Sequence, residues 1–143
     1  GLEGLILVES AGQPQAVRYE RHQDITSPAD PDMPSADDGP LEDDKSYGLM
    51  QVMGYNARRL CGVGPGVRMD FGFLLLPITN IAFGLRILTA ELAATNGYVD
   101  AALARYNGGP VGNPPSGRLR NQAYVDTVAA ATARVQLSRS AGA

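Results

Sequence analysis

The 143-residue sequence predicts a mainly α, single compact domain with one long acidic loop and at most a small β ribbon. Three observations lead there. Five stretches repeat their apolar residues at the helical period, strand-like alternation is faint, and one Pro- and Asp-rich segment admits no regular structure. No internal repeat or second domain is visible, so residues 1–143 read as one unit.

The first helix covers Leu2 to Glu9, where Leu2, Leu5, Ile6 and Glu9 share one face, and Ser10 to Pro14 ends it with Gly12 as a natural terminal residue. A short ribbon near Ala16–Tyr19 is the best strand candidate. The segment 24–45 follows, punctuated by Pro28, Pro31, Pro34 and Pro40. A second helix is expected from Gly48 to Leu60, with Leu49, Val52, Met53, Asn56 and Leu60 on one side. The third runs from Pro77, a residue suited to a first turn, to Thr95, with Ile78, Ile81, Leu85, Leu88 and Leu92 at helical spacing. The fourth spans Val99 to Tyr106 and stops at Asn107-Gly108-Gly109-Pro110. The last, Asn121 to Leu137, carries Tyr124, Val128, Ala131 and Val135 on its packing face.

Charge is unevenly placed. The net value is −3, yet Asp24, Asp30, Asp32, Asp37, Asp38, Glu42, Asp43 and Asp44 crowd one segment without a basic residue. With those eight set aside, 12 basic residues face 7 acidic ones, leaving +5. The acidic segment reads as a solvated loop or, by the family resemblance that follows, as a flap beside the functional site. Its Asp-Pro spacing does not follow a calcium-binding EF-hand loop.

Composition also excludes several chemistries. One cysteine, Cys61, rules out an internal disulfide framework or a multi-cysteine zinc site, and one histidine, His22, leaves little for a His-based metal centre or a Ser-His-Asp triad. The glycines at 62, 64 and 66 follow a helix pattern and not a strand, against a dinucleotide loop. No Arg/Lys cluster with interleaved aromatics suggests nucleic acid. The apolar run Phe71 to Ile81 is too short to span a bilayer, and no signal-peptide pattern opens the chain. No cofactor or metal is expected.

Glu9 stands out. It shares a helical face with Leu2, Leu5 and Ile6, and burial there penalises a carboxylate's charge. A carboxyl kept protonated near neutral pH can act as a general acid. The alternative is a helix-ending glutamate that points to water.

The sequence resembles the lytic transglycosylase domain family, lysozyme-like domains of mixed α+β type that cleave peptidoglycan. The matching strings are Leu5-Ile6-Leu7-Val8-Glu9-Ser10, Ser46-Tyr47-Gly48-Leu49-Met50-Gln51, Asn80-Ile81-Ala82-Phe83-Gly84, Ala104-Arg105-Tyr106-Asn107-Gly108-Gly109-Pro110 and Tyr124-Val125. Each string alone is weak; five in the family's order are specific. Arg18-Tyr19-Glu20 and Ser46-Tyr47 look like phage-associated members. Only eight residues precede Glu9, fewer than the family's usual lead into this helix.

The resemblance implies that Glu9 protonates the glycosidic oxygen between N-acetylmuramic acid and N-acetylglucosamine, then acts as base while the muramic C6 hydroxyl closes a 1,6-anhydro ring. It implies that Tyr106 hydrogen-bonds and steers that glutamate, although Tyr106 could also be a core aromatic. Met50 and Gln51, with Ser46 and Gly48 before them, match positions lining the cleft beside the scissile bond, and Met50 could equally be core. Ser10 would orient the helix end, and Asn107 would hold a turn or touch substrate. Tyr124 matches a family tyrosine near the cleft but also lies on a packing face, where packing is the simpler role. The implied partner is the peptidoglycan glycan strand, met at the bacterial cell wall, from the periplasm or by phage delivery. The domain is expected to be monomeric, alone or within a larger polypeptide.

Two other readings differ in class. A muramidase on the same fold would add water and needs a second carboxylate, roughly 5–5.5 Å from the first if retaining or 6.5–9.5 Å if inverting. Glu20, Asp70 and the acidic segment are its only candidates. A non-catalytic glycan-binding or phage-tail module would need no proton donor at all.

Overall fold

A computed structural model describes residues 1–19, 43, 45–64 and 67–143. The acidic segment and its expected role as a flap lie outside the described residues, Asp43 excepted, as do Glu20 and His22.

The elements are α1 (Leu2–Ser10), β1 (Val17–Tyr19), β2 (Lys45–Tyr47), β3 (Val52–Met53), α2 (Gly54–Leu60), a 3₁₀ turn (Gly72–Leu75), α3 (Pro77–Ala94), α4 (Val99–Gly108) and α5 (Gln122–Ala141). The strands form an antiparallel sheet in the order β1-β2-β3, with Arg18 opposite Ser46 and Ser46 opposite Met53. This is the mainly α, lysozyme-like α+β class with a small sheet. The chain divides into two compact units, residues 1–11 with 85–143 and residues 12–84, the division falling inside α3.

In the first unit α1 packs on α5 through a close approach at Gly4. A Cβ there would come 2.7 Å from the Thr132 backbone nitrogen, so only glycine fits. Exposed Glu3 and Arg139 pair across the same two helices. Ala101, Ala104, Leu119 and Val125 form a buried cluster, with Leu103 and Tyr124 against it. Arg105 of α4 reaches Glu91 of α3 at 2.6 Å.

In the second unit Tyr47, Met50, Val52, Ala57, Phe71 and Leu74 are buried. Tyr47, Phe71, Phe73 and Phe83 follow one another with ring centroids 5.5–6.4 Å apart. Arg58 lies over the Phe71 ring and grips Asp43 with two hydrogen bonds, 2.7 and 3.1 Å. Asp43 is thus buried and paired.

Two expectations need correction. The second helix does not begin at Gly48: residues 48–51 form a turn, Val52–Met53 is a strand, and α2 starts at Gly54. Gly48 (φ 71°) and Gln51 (φ 48°) sit in the left-handed region, which a right-handed helix cannot include. The inward face of α3 is also rotated from the one expected. Ile78 and Leu85 are exposed, while Asn80, Gly84 and Ile87 are buried. A Cβ at Gly84 would come within 2.8 Å of Met50 side-chain atoms, so the missing side chain, not an apolar one, marks the packed face.

Candidate active site

The last turn of α1 presents the first group. Ala11 closes the helix in the left-handed conformation and donates its N–H to the Leu7 carbonyl at 3.0 Å. Ser10 is buried, and its hydroxyl donates to the Ile6 carbonyl at 3.1 Å, tying that turn together. Glu9 is only 7% exposed, so of its two readings the buried one holds.

Two tyrosines gather around it. The Tyr124 hydroxyl, from the first turn of α5, donates to Glu9 Oε1. Its phenol is pushed well above the ordinary tyrosine range, by burial first, then by the negative charge of Glu9 and the hydrogen bond to it, and last by Tyr106. The Tyr106 phenol, on α4, is raised likewise, by burial and then by Glu9. Both hydroxyls therefore stay protonated across the physiological range and remain hydrogen-bond donors beside the carboxyl. Tyr124 packs as the sequence suggests and also holds Glu9, a contact that periodicity could not show. Asn107 follows Tyr106, is exposed, and accepts a hydrogen bond on Oδ1 from Asn121 Nδ2 at 3.0 Å.

The remaining sequence-selected residues, Ser46, Gly48, Met50 and Gln51, cluster in the second unit. Gln51 Oε1 accepts from Ser46 Oγ at 2.7 Å, and Gln51 Nε2 donates to the carbonyls of Gly48 (3.0 Å) and Ala16 (3.2 Å). The Met50 side chain is fully buried and its backbone N–H meets Asn80 Oδ1 at 2.7 Å. Gly48 has no room for a side chain: a Cβ would lie 2.5 Å from the Leu74 carbonyl oxygen. These four residues thus organise the turn that joins β2 to β3.

Three asparagines were not selected as site residues from the sequence. Fully buried Asn80 donates to the carbonyls of Tyr47 (2.6 Å) and Leu74 (2.8 Å) as well as accepting from Met50. Asn113 donates to Ala104 and Gly109 and accepts from the Arg120 N–H, folding the loop after α4. Asn121 heads α5 and reaches back to Ala104 and Asn107. Asn80 opens one of the quoted strings, which was a usable signal; Asn113 lies in a loop without periodicity, and Asn121 opens the last helix, where periodicity says nothing of its side-chain partners. Asp70, a candidate second carboxylate, is exposed and accepts from the Gly72 N–H at 2.8 Å, starting the 3₁₀ turn. Among the described residues no helix is long and apolar enough to cross a membrane.

The model of the family described as Transglycosylase SLT domain matches residues 1–122, a span that holds Glu9 and Tyr106 and stops short of Tyr124. No match was found among curated proteins or solved structures. With a buried glutamate on the first helix and most of its length matched, the chain belongs to the Transglycosylase SLT domain family.

Proposed function

We propose that the protein is a peptidoglycan lytic transglycosylase that cleaves the β-1,4 bond between N-acetylmuramic acid and N-acetylglucosamine, with Glu9 as both acid and base. At the level of the family the activity is lytic-transglycosylase-type cleavage of peptidoglycan. The observation that carries the finer reading is the buried Glu9 carboxyl held by the Tyr124 hydroxyl, with the Tyr106 phenol close enough to respond to its charge.

In the first step the protonated Glu9 carboxyl gives its proton to the glycosidic oxygen as the bond from that oxygen to the muramic anomeric carbon breaks. The adjacent 2-acetamido group stabilises the cationic centre, in place of a second carboxylate. Glu9, now ionised, takes the proton of the muramic C6 hydroxyl while its oxygen bonds the anomeric carbon. The product is a 1,6-anhydro sugar, and Glu9 is protonated again. The nucleophile is already tethered to the reacting ring, so no water has to be positioned. Tyr124 supports the cycle by fixing the carboxyl's rotation, since a general acid must lie within hydrogen-bond reach of the atom it serves. The cell wall is then the place of action and the glycan strand the partner.

The test is mass spectrometry of purified murein digested by the protein, beside the Glu9→Gln variant. Products one water lighter than hydrolysed muropeptides, absent with Glu9→Gln, are expected. Reducing-end products would make the protein a muramidase. Absence of cleavage by the unaltered protein would leave a non-catalytic glycan-binding module.

A further inference from the structure

We propose that Asn121 is a positioning residue that sets the polarity of the Asn107 carboxamide, so that Asn107 offers the glycan a hydrogen-bond donor and not an acceptor. The inference rests on the peptidoglycan-cleaving reading above and adds to it the residue that orients a substrate contact.

The argument is one of elimination along a hydrogen-bond chain. Asn121 Nδ2 lies 2.8 Å from the Ala104 carbonyl oxygen and 3.0 Å from Asn107 Oδ1. A carbonyl oxygen can only accept, so Asn121 must turn its NH₂, not its oxygen, toward Ala104. The second proton of that NH₂ points to Asn107 and requires an acceptor there. Asn107 therefore turns its oxygen inward. Its own NH₂ faces outward on an exposed side chain, and among the described residues no acceptor meets it.

A second observation shows that the Asn121 amide is held in this orientation. Asn121 Oδ1 is buried and, among the described residues, has no hydrogen-bond partner. An amide free to rotate would find its oxygen a donor; here two acceptors fix the nitrogen and leave the oxygen unpaired. The surroundings are fixed as well. Asn113 Nδ2 also donates to the Ala104 carbonyl, and Arg120 Nη2 donates to the Gly108 carbonyl at 2.6 Å. The outward NH₂ follows Tyr106 directly in sequence, and the Tyr106 phenol feels the charge of Glu9. It is thus an exposed donor one residue after Tyr106 on α4, suited to an acceptor oxygen of a bound glycan.

Asn121→Asp keeps the size of the side chain and a residue favoured at a helix N-cap. It presents only acceptors, so Asn107 must turn its NH₂ inward and its oxygen outward. On purified soluble glycan strands Asn121→Asp and Asn107→Ala should each raise KM about 3–10-fold, the worth of one neutral hydrogen bond, with kcat nearly unchanged. The double variant should be no worse than Asn107→Ala alone, because Asn121 acts through Asn107. Additive effects, or an unchanged KM for Asn121→Asp, would overturn the proposal. If Asn121→Asp fails to fold, Asn107→Asp serves: it keeps the inward acceptor and offers no outward donor, so a raised KM at unchanged melting temperature is expected and an unchanged KM overturns the idea. Strand binding measured on the Glu9→Gln background separates the two readings. Weaker binding with Asn121→Asp supports the polarity argument even if the unaltered protein releases no product, a result that would sink only the catalytic reading.

Discussion

Two buried polar clusters can be set side by side. Around Gln51 and Asn80, amide and hydroxyl groups meet backbone carbonyls and N–H groups, and the partners are neutral. Around Glu9 an ionisable carboxyl is met by a phenol, and a second phenol senses its charge. A neutral amide network in low dielectric fixes a backbone shape and changes nothing when the pH changes. A buried acid with protonated phenols beside it holds or releases a proton according to what lies next to it. Burial of polar groups alone thus does not mark a site, and neither does a buried charge neutralised by a partner, as Asp43 is by Arg58; a buried acid met by phenols is a different case.

The sharpest way to break this contrast is to substitute one residue in each cluster. Glu9→Gln keeps the shape and removes the proton, and should lower the rate of murein cleavage about 10²–10⁴-fold, or more under the proposed dual role as acid and base. Its melting temperature should not fall, which calorimetry checks. Asn80→Ala should do the reverse. It strands the Tyr47 and Leu74 carbonyls and the Met50 N–H, at a cost of about 3 kcal/mol in stability by denaturant titration. Activity per folded molecule should stay near that of the parent. A large activity loss in Asn80→Ala without destabilisation would erase the distinction between the clusters.

The two clusters also differ in how far the sequence revealed them. Glu9 was legible because Leu2, Leu5 and Ile6 set a face and the glutamate fell on it; a period is a local property. The partner Tyr124 lies 115 residues away, and its place on α5 was legible while its contact with Glu9 was not. The turn from Gly48 to Gln51 looks helical in sequence because Leu49, Val52 and Met53 mimic helical spacing. What decides against helix there is tertiary: Asn80 takes the Met50 N–H, and Gln51 ties the Gly48 carbonyl. The same cause rotated the face of α3, where Asn80 and Gly84 point inward and Ile78 does not. β2 is set by its pairing with β1 and β3 and not by a local pattern of its own.

A smaller effect separates the tyrosine's two roles. Tyr124→Phe keeps the ring against Ala101, Ala104, Leu119 and Val125 and deletes the donor to Glu9. It should lower kcat roughly tenfold, as for a hydrogen bond to a charged group, with about 1 kcal/mol or less of lost stability. A variant that loses stability and keeps its kcat would make Tyr124 a packing residue only.

The smallest effect is expected in alkali, and its sign follows from the raised phenols. Tyr106 and Tyr124 keep their protons in the folded protein at pH values where the unfolded chain, with tyrosine near its ordinary pKa of about 10, releases them. The folded state then binds more protons than the unfolded one, so stability is fully present below about pH 10 and declines as pH rises beyond it. Phenolate absorbance followed with far-ultraviolet circular dichroism checks this: the two should ionise only as the helices unfold. Ionisation of all six tyrosines while the fold persists would contradict the burial of this pair. Glu9→Gln sharpens the test, because it removes the charge and leaves the burial. Since burial is the larger cause for both phenols, their late ionisation should persist in that variant with only a modestly earlier onset; a return to ordinary titration would make the Glu9 charge, and not desolvation, the dominant feature of the site.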